Sequence, residues 1–211
     1  KILCNGDQAT GVMVGDIKYD ADVVVGSADL HHVETKLLPR HKQTFPESYW
    51  SKRKPGPSAM LIYLGVKGKI DNLEHHTLFF TQDWEGGFKE VFAKADGKRS
   101  IPEPANMYVC MPSKTDSSVS PKGYENVFIL VPTAADPSLG SGGINGAGDA
   151  SLEARADKII DQLGEWAGIE DLRNRVVVRR TVGPKDFVNE FNAWSGTALG
   201  MAHTLRQSAF F

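Results

Sequence analysis

The fold is decided by the stretch Ala59-Met60-Leu61-Ile62-Tyr63-Leu64-Gly65, a short apolar run that ends at a glycine and is therefore predicted to be a strand. Three further strands of this kind are predicted at Thr77–Thr81, Met107–Met111 and Asn126–Pro132. Turn-rich segments separate them, together with one predicted helix at Trp84–Phe92. We expect most neighbouring strands to pair antiparallel.

The second half of the chain begins with its most regular helical pattern, at Ser151–Ala167. One face of this helix carries the apolar side chains of Leu152, Ala156, Ile159, Ile160 and Leu163. Asp149 or Ser151 is available as its N-cap, and Gly168 marks its end. A strand is predicted between Val176 and Val182, and Pro184 is well placed to begin another helix. The predicted fold class is α+β, a mixed and mostly antiparallel sheet with helices on one side.

The first residues of the chain have a different pattern. Gly11–Asp20 is predicted to be a hairpin, because β-prone runs flank Gly15-Asp16. The valine run within Asp22–Gly26 is typical of a strand that is covered on both faces, and a helix is predicted from Leu30 to Leu38. These elements indicate a separate segment, residues 1–38, that precedes the strands and helices described above.

The composition turns basic and aromatic in residues 39–57, which we interpret as a connector between residues 1–38 and a larger unit, residues 58–211. The residues of the connector that could contact a membrane surface are Tyr49, Trp50, Lys52, Arg53 and Lys54. Rings at headgroup depth beside cationic side chains are a pattern of peripheral membrane segments. A solvated helix face would give the same pattern, and the residues alone leave both interpretations open.

Composition excludes several classes of protein. The chain has 211 residues, of which 41% are hydrophobic and 24% charged, so a globular domain is expected rather than a disordered segment. The net charge of −2 provides no broad basic surface, so nucleic acid is not expected as a partner. Two cysteines are too few for a disulfide framework, which favours a reducing cytosol. The longest apolar runs are far shorter than the roughly 20 residues that a membrane-spanning helix needs.

Two histidine pairs, one serine-rich segment and one glycine-rich segment are candidate sites of chemistry. The six histidines include two adjacent pairs, His31-His32 and His75-His76. Adjacent side chains on a strand point to opposite faces, so neither pair is expected to hold one ion, and no metal site is predicted. The segment Ser113–Ser118 is expected to make loop hydrogen bonds, since no serine nucleophile motif accompanies it. Gly140–Gly148 lacks the spacing of a phosphate-binding loop and is expected to be a flexible surface loop.

An ordered set of short motifs nevertheless points to one family. The set consists of His75-His76-Thr77, Pro112-Ser113-x-Thr115-Asp116-Ser117-Ser118, Leu130-Val131-Pro132, Asp186-Phe187, Gly196-Thr197-Ala198 and Gln207-Ser208-Ala209. In this order the motifs resemble the bacterial phytoene desaturase family of FAD-dependent, amine-oxidase-like enzymes. The resemblance covers nearly the whole chain. It implies that the chain is a C-terminal-half fragment without the glycine fingerprints for flavin.

The resemblance also implies a function. The family removes a hydride from an allylic carbon to FAD and a proton from the neighbouring carbon, which extends the conjugation of a long apolar polyene. Residues 1–38 would be the end of the α/β FAD-binding domain and residues 58–211 the substrate-binding domain. FAD is expected in the full-length parent and not in this fragment alone. The residues that would line the substrate channel are His75, His76, Asp116, Asn192 and Gly196; no catalytic or flavin-contacting residue is assigned.

The cysteine content favours a cytoplasmic protein, and the polyene substrate implies docking on the inner face of the membrane. The rest of the parent chain is the expected partner. Two alternatives remain open at this point. One is a carotenoid isomerase, ketolase or retinoid saturase, which would share the architecture and act on another polyene. The other is a non-catalytic module that binds isoprenoid lipids.

Overall fold

A computed structural model describes residues 1–92 and 99–208. The strands are β1 (Ile2–Asn5), β2 (Gln8–Val14), β3 (Ile17–Asp20), β4 (Ser58–Lys67), β5 (His76–Phe79), β6 (Met107–Cys110), β7 (Tyr124–Thr133) and β8 (Val176–Val182). The α-helices are α1 (Leu30–His32), α2 (Glu47–Trp50), α3 (Trp84–Phe92), α4 (Ala150–Ala167), α5 (Leu172–Arg175), α6 (Pro184–Phe191) and α7 (Leu205–Ser208). The strands form two sheets, and every described pairing is antiparallel.

The smaller sheet is a meander of β1, β2 and β3 in chain order. Its second hairpin pairs Gly11 with Asp20 and Val14 with Ile17, so the predicted hairpin is confirmed. The predicted helix from Leu30 to Leu38 is also present, as α1 followed directly by a π-helix at Val33–Leu37.

The valine run that follows the meander is not a buried strand, and this prediction was wrong. Val23 is 76% exposed and Val25 is 82% exposed, and no strand of the described residues pairs with them. A valine run becomes a buried strand only where neighbouring strands supply hydrogen bonds and other elements cover both faces. Nothing in the described part of the chain does so for residues 22–26.

The larger sheet has the strand order β5-β6-β7-β4-β8. β4 and β7 are its longest strands and pair over their whole length, from Ser58 opposite Thr133 to Lys67 opposite Tyr124. Successive side chains alternate between the two faces. One face is the core, where Met60, Ile62, Leu64, Met107, Val109 and Ile129 are at most 3% exposed. The predicted α+β class with a mostly antiparallel sheet is therefore confirmed.

The long helix α4 covers the core face. Its five predicted apolar side chains, Leu152, Ala156, Ile159, Ile160 and Leu163, are at most 1% exposed. The helix ends at Gly168, which takes the left-handed conformation with φ of 64°. Asp149 occupies the N-cap position, but its carboxylate accepts a hydrogen bond from the amide of Ser141 instead of capping the helix.

The glycine-rich segment at residues 140–148 differs from the flexible loop that was predicted. The amide of Gly142 donates to Asp186 at 2.7 Å, and the amide of Gly143 donates to the hydroxyl of Thr181 at 2.9 Å. A Cβ at Gly142 would lie 2.1 Å from the carbonyl oxygen of Thr181, so only glycine allows this approach. The segment is a fixed strap along β8.

Candidate functional site

The second face of the larger sheet is the most distinctive surface of the described chain. A row of rings crosses four strands on it, with centroid separations of 5.0 Å for Tyr63 and Phe128, 6.2 Å for Phe128 and Tyr108, and 5.9 Å for Tyr108 and His76. These residues alternate with core residues along their strands, so they all point away from α4. Tyr63 is 43% exposed and Leu78, on the same face of β5, is 60% exposed. An apolar face of this kind is typical of a binding surface.

A groove of about 330 Å³ opens beside this row, between the sheet and α3. Its walls include Ala59, Leu130 and Pro132 from the sheet, Phe88 and Val91 from α3, and Leu199 from the segment that returns after α6. None of the described residues that line it is charged. The groove can therefore take an elongated apolar molecule, but it offers no group that could exchange a proton with one.

Pro132 illustrates how the sequence shapes this groove. The pairing of β6 with β7 stops at Leu130, so β7 continues past the end of its neighbour. A proline without an amide hydrogen is tolerated at such a position because no ladder bond is lost. The gap that β6 leaves is where α3 approaches the sheet.

His75 and His76, two of the predicted channel residues, lie at the edge of the ring row. Their ring centroids are 4.3 Å apart, and both lie close to the thiol of Cys110. The expectation that adjacent histidines point to opposite faces was wrong here, because β5 begins only at His76 and His75 lies in the bend before it. Strand alternation does not apply outside the strand.

Tyr108 joins these groups to the ring row. Its hydroxyl lies 2.7 Å from Nδ1 of His76. A hydrogen bond with Cys110 raises the pKa of Tyr108, and burial and the charge of the thiolate act in the same direction. The phenol therefore stays neutral when the pH rises past the ordinary pKa of a tyrosine, and it keeps its hydroxyl for hydrogen bonding.

Asp116, another predicted channel residue, lies apart from the groove in an exposed loop. Its carboxylate accepts hydrogen bonds from the hydroxyl and the amide of Ser118, at 2.6 and 2.8 Å, and these bonds lower the pKa of Asp116. The same segment is held to β7, because Ser113 and Asn126 exchange hydrogen bonds of 3.2 Å. These are contacts of loop hydrogen bonding, whereas Thr115 of the same motif contacts His75, with its hydroxyl oxygen 2.6 Å from Nδ1.

Asn192 and Gly196 also lie outside the groove. Asn192 ends α6 in the left-handed conformation, with φ of 54°. Gly196 is buried, and its carbonyl oxygen accepts a hydrogen bond of 2.5 Å from the hydroxyl of Ser58. Thr197 and Ala198 both donate to the carbonyl oxygen of Pro57. The motif Gly196-Thr197-Ala198 thus docks the return segment on the start of β4 and so places Leu199 in the groove wall.

Replacing Gly196 with alanine is expected to destabilise the protein by at least about 2 kcal/mol, because its φ is 71° and a Cβ would lie 2.5 Å from the carbonyl oxygen of Pro184. The matched control is Gly200→Ala, since Gly200 has φ of 77° but nothing within 4 Å of its Cβ position. We expect the control to lose only the conformational part, about 1 kcal/mol. Urea unfolding measures both; equal losses would show that the close approach at Gly196 does not matter.

Known proteins resemble this chain along nearly its whole length. A carotenoid 3,4-desaturase from Haloarcula japonica is 40% identical over 195 residues, which are 92% of this chain and 37% of that protein. A 4,4'-diapophytoene desaturase from Staphylococcus haemolyticus is 31% identical over 97% of this chain and 40% of its own length. The chain is therefore similar to one part of these carotenoid desaturases. It spans about two fifths of the length of these relatives.

A third desaturase agrees with this. The zeta-carotene-forming phytoene desaturase of Myxococcus xanthus is 30% identical over 98% of this chain and 38% of that protein. No protein-family model matches the chain. Among solved structures, an oxidoreductase from Methanosarcina mazei superposes with a TM-score of 0.47 at 15% identity, over 86% of this chain and 35% of that protein.

The connector, residues 39–57, is more buried than its composition predicts. Trp50 is 2% exposed, and its indole donates to the carbonyl oxygen of Phe45 at 2.8 Å, so this ring cannot reach a membrane in the described conformation. The guanidinium of Arg53 lies 4.1 Å from the centre of the Tyr49 ring. Of the predicted membrane-contacting residues, Lys52 and Lys54 are exposed. None of the described helices has the length and apolar character to span a bilayer.

The groove and the ring row were missed by the sequence analysis, although the strands that carry them were predicted. The sequence signal for a second apolar face is in β4. Its core positions are Met60, Ile62 and Leu64, and the positions between them, Leu61 and Tyr63, are also apolar or aromatic. A run that is apolar at every position predicts a sheet with two apolar faces. α4 covers only one of them.

Proposed function

We propose that this chain is the substrate-binding part of a FAD-dependent carotenoid desaturase. The observation that carries the proposal is the 40% identity to a carotenoid 3,4-desaturase over 92% of the chain. The relatives compared above are all desaturases, which favours desaturation over isomerisation or passive lipid binding.

The second sheet face supports a role in holding the polyene. A conjugated polyene is long, stiff and apolar, so a binding site needs an extended apolar wall more than it needs polar groups. The ring row and the groove provide such a wall, and burial of apolar surface there is worth about 25 cal/mol per Å². Tyr63 and Phe128 offer flat faces to the polyene, while Leu199 and Phe88 close the groove from the side and exclude water.

The glycine-rich strap does not fit the pyrophosphate of FAD. A phosphate site needs backbone amides that are available for the ligand. In the glycine-rich strap, the amides of Ser141, Gly142, Gly143 and Gly148 already donate to protein oxygens. In this proposal the pyrophosphate is therefore not held by the strap, and the residues of the second sheet face bind the polyene, orient it and keep water away from it.

The domain assignment is part of the same proposal. Residues 1–38 belong to the flavin-binding domain, residues 39–57 connect it to the substrate domain, and residues 58–211 form the substrate domain. Within the last range, residues 93–98 and 209–211, including Ala209 of the last motif, lie outside the described residues. Exposed Lys52 and Lys54 would allow the connector to approach an anionic membrane surface, from which a polyene is delivered.

The test is expression of the complete protein that contains this chain in a bacterial host that produces phytoene. We expect a polyene product with absorption bands at longer wavelength than those of phytoene, together with flavin in the purified protein. Bound flavin with unchanged phytoene would assign another polyene to the site. A protein that carries polyene without flavin would contradict the proposal and support a lipid carrier.

A further inference from the structure

Three soft ligand groups converge at the edge of the second sheet face. His76 and Cys110 are direct partners across β5 and β6, so their side chains leave the sheet on the same face. His75 joins them from the bend before β5. One ring nitrogen of each histidine and the sulfur of Cys110 all lie within 4.8 Å of one another.

Hydroxyl groups hold both imidazole rings in place. Oγ1 of Thr115 lies 2.6 Å from Nδ1 of His75, and the phenol oxygen of Tyr108 lies 2.7 Å from Nδ1 of His76. Each ring therefore has one nitrogen engaged with a hydroxyl and a second nitrogen that can bind a cation. Histidines that ligate metals are oriented by a hydrogen bond of this kind at the other ring nitrogen.

We propose that His75, His76 and Cys110 bind a Zn²⁺ ion and leave its fourth tetrahedral position open. Two imidazoles and a thiolate suit a borderline-soft cation, whereas Mg²⁺ and Ca²⁺ prefer oxygen ligands. Zinc bonds of about 2.0 to 2.3 Å place tetrahedral ligands roughly 3.5 Å apart, so the three groups need to close by about 1 Å. The carbonyl oxygen of His75 accepts a hydrogen bond of 2.9 Å from the amide of Met111, so the movement is made by rotation of the His75 side chain.

The position of the site defines what the ion would do. His75 and Cys110 are half-buried and His76 is exposed, so the fourth position faces solvent. Three protein ligands and one open position are typical of zinc sites that bind a further ligand, while structural sites use four. The ion would also fasten β5, an edge strand of 4 residues, to β6. This inference does not depend on the proposed desaturase function.

Cobalt provides a spectroscopic test with the chain as it is. We expect Co²⁺, added to protein freed of metal by a chelator, to give a thiolate-to-cobalt absorption band in the near ultraviolet and tetrahedral bands in the visible, at one ion per chain. One equivalent of Zn²⁺ should remove both signals. Cys110→Ser should abolish the near-ultraviolet band, and His76→Gln should weaken Co²⁺ binding at least tenfold.

The chain contains its own matched controls. Cys4 is the only other cysteine, so Cys4→Ser should leave the near-ultraviolet band unchanged. His41→Gln should leave the affinity unchanged, since His41 lies in the connector. Circular dichroism verifies that each variant is folded. A folded wild-type chain without the band, or a band that persists in Cys110→Ser, would overturn the proposal.

Discussion

Replacing Leu199 with aspartate in the complete protein is expected to lower kcat/KM for the polyene at least tenfold. Leu199 lines the groove and is 68% exposed, so the change does not disturb the core. Loss of a leucine contact costs about 1.5 to 3 kcal/mol, and placing a carboxylate against an apolar substrate adds a desolvation cost. A loss of about 1.4 kcal/mol in transition-state binding is already tenfold in rate. Most of the effect should be in KM, because the reacting group lies elsewhere.

The measurement is desaturation of the polyene in vesicles, followed by absorbance, with flavin content determined for every preparation. Leu199→Met keeps the groove apolar and should stay within about twofold of the wild type. Ile144→Asp is the control for an exposed carboxylate, since Ile144 is 58% exposed and does not line the groove. If Leu199→Asp retains wild-type kcat/KM and flavin content, the groove is not on the path of the substrate.

The elements that sequence predicted well are those whose signals are local. β4, β7 and α4 were found because apolar periodicity and caps act within one segment, and Gly168 ended α4 as its position indicated. The prediction of a buried strand at residues 22–26 was wrong for the opposite reason, since burial of a strand depends on partners that are distant in sequence. The prediction of a flexible loop at residues 140–148 was wrong for the same reason, because its amides donate to Thr181 and Asp186 only in the folded chain.

The candidate site also depends on contacts between residues that are distant in sequence. The histidine pair was recognised as unusual, but its meeting with Cys110 depends on the register of β5 and β6, which sequence does not provide. Leu199 reaches the groove only because Gly196 and Thr197 dock the return segment on β4. A site built from four strands, a helix and a return segment is visible only once the register is known.

A largely buried ion pair joins α4 to β8. The Glu153 side chain is 8% exposed and the Arg179 side chain 15% exposed, and their charged groups lie 2.8 Å apart. Glu153 also accepts hydrogen bonds from Thr181 at 2.5 Å and from the amide of Gly148 at 3.2 Å. A single carboxylate therefore holds together α4, β8 and the glycine-rich strap.

We expect Glu153→Ala to lower the free energy of unfolding by about 3 kcal/mol, because it removes the acceptor of the Gly148 amide and of one face of the largely buried Arg179 guanidinium. The Thr181 hydroxyl keeps the carbonyl oxygen of Gly143 as an acceptor at 3.2 Å. Arg179 keeps its contact with Asp157, which limits the loss. Glu165→Ala, at an exposed position of the same helix, should stay within about 0.5 kcal/mol of the wild type in urea unfolding. Glu153→Gln should fall between the two, since its amide oxygen can still accept from Thr181. Equal stability of Glu153→Ala and Glu165→Ala would mean that the pair is solvated and that packing alone joins α4 to β8.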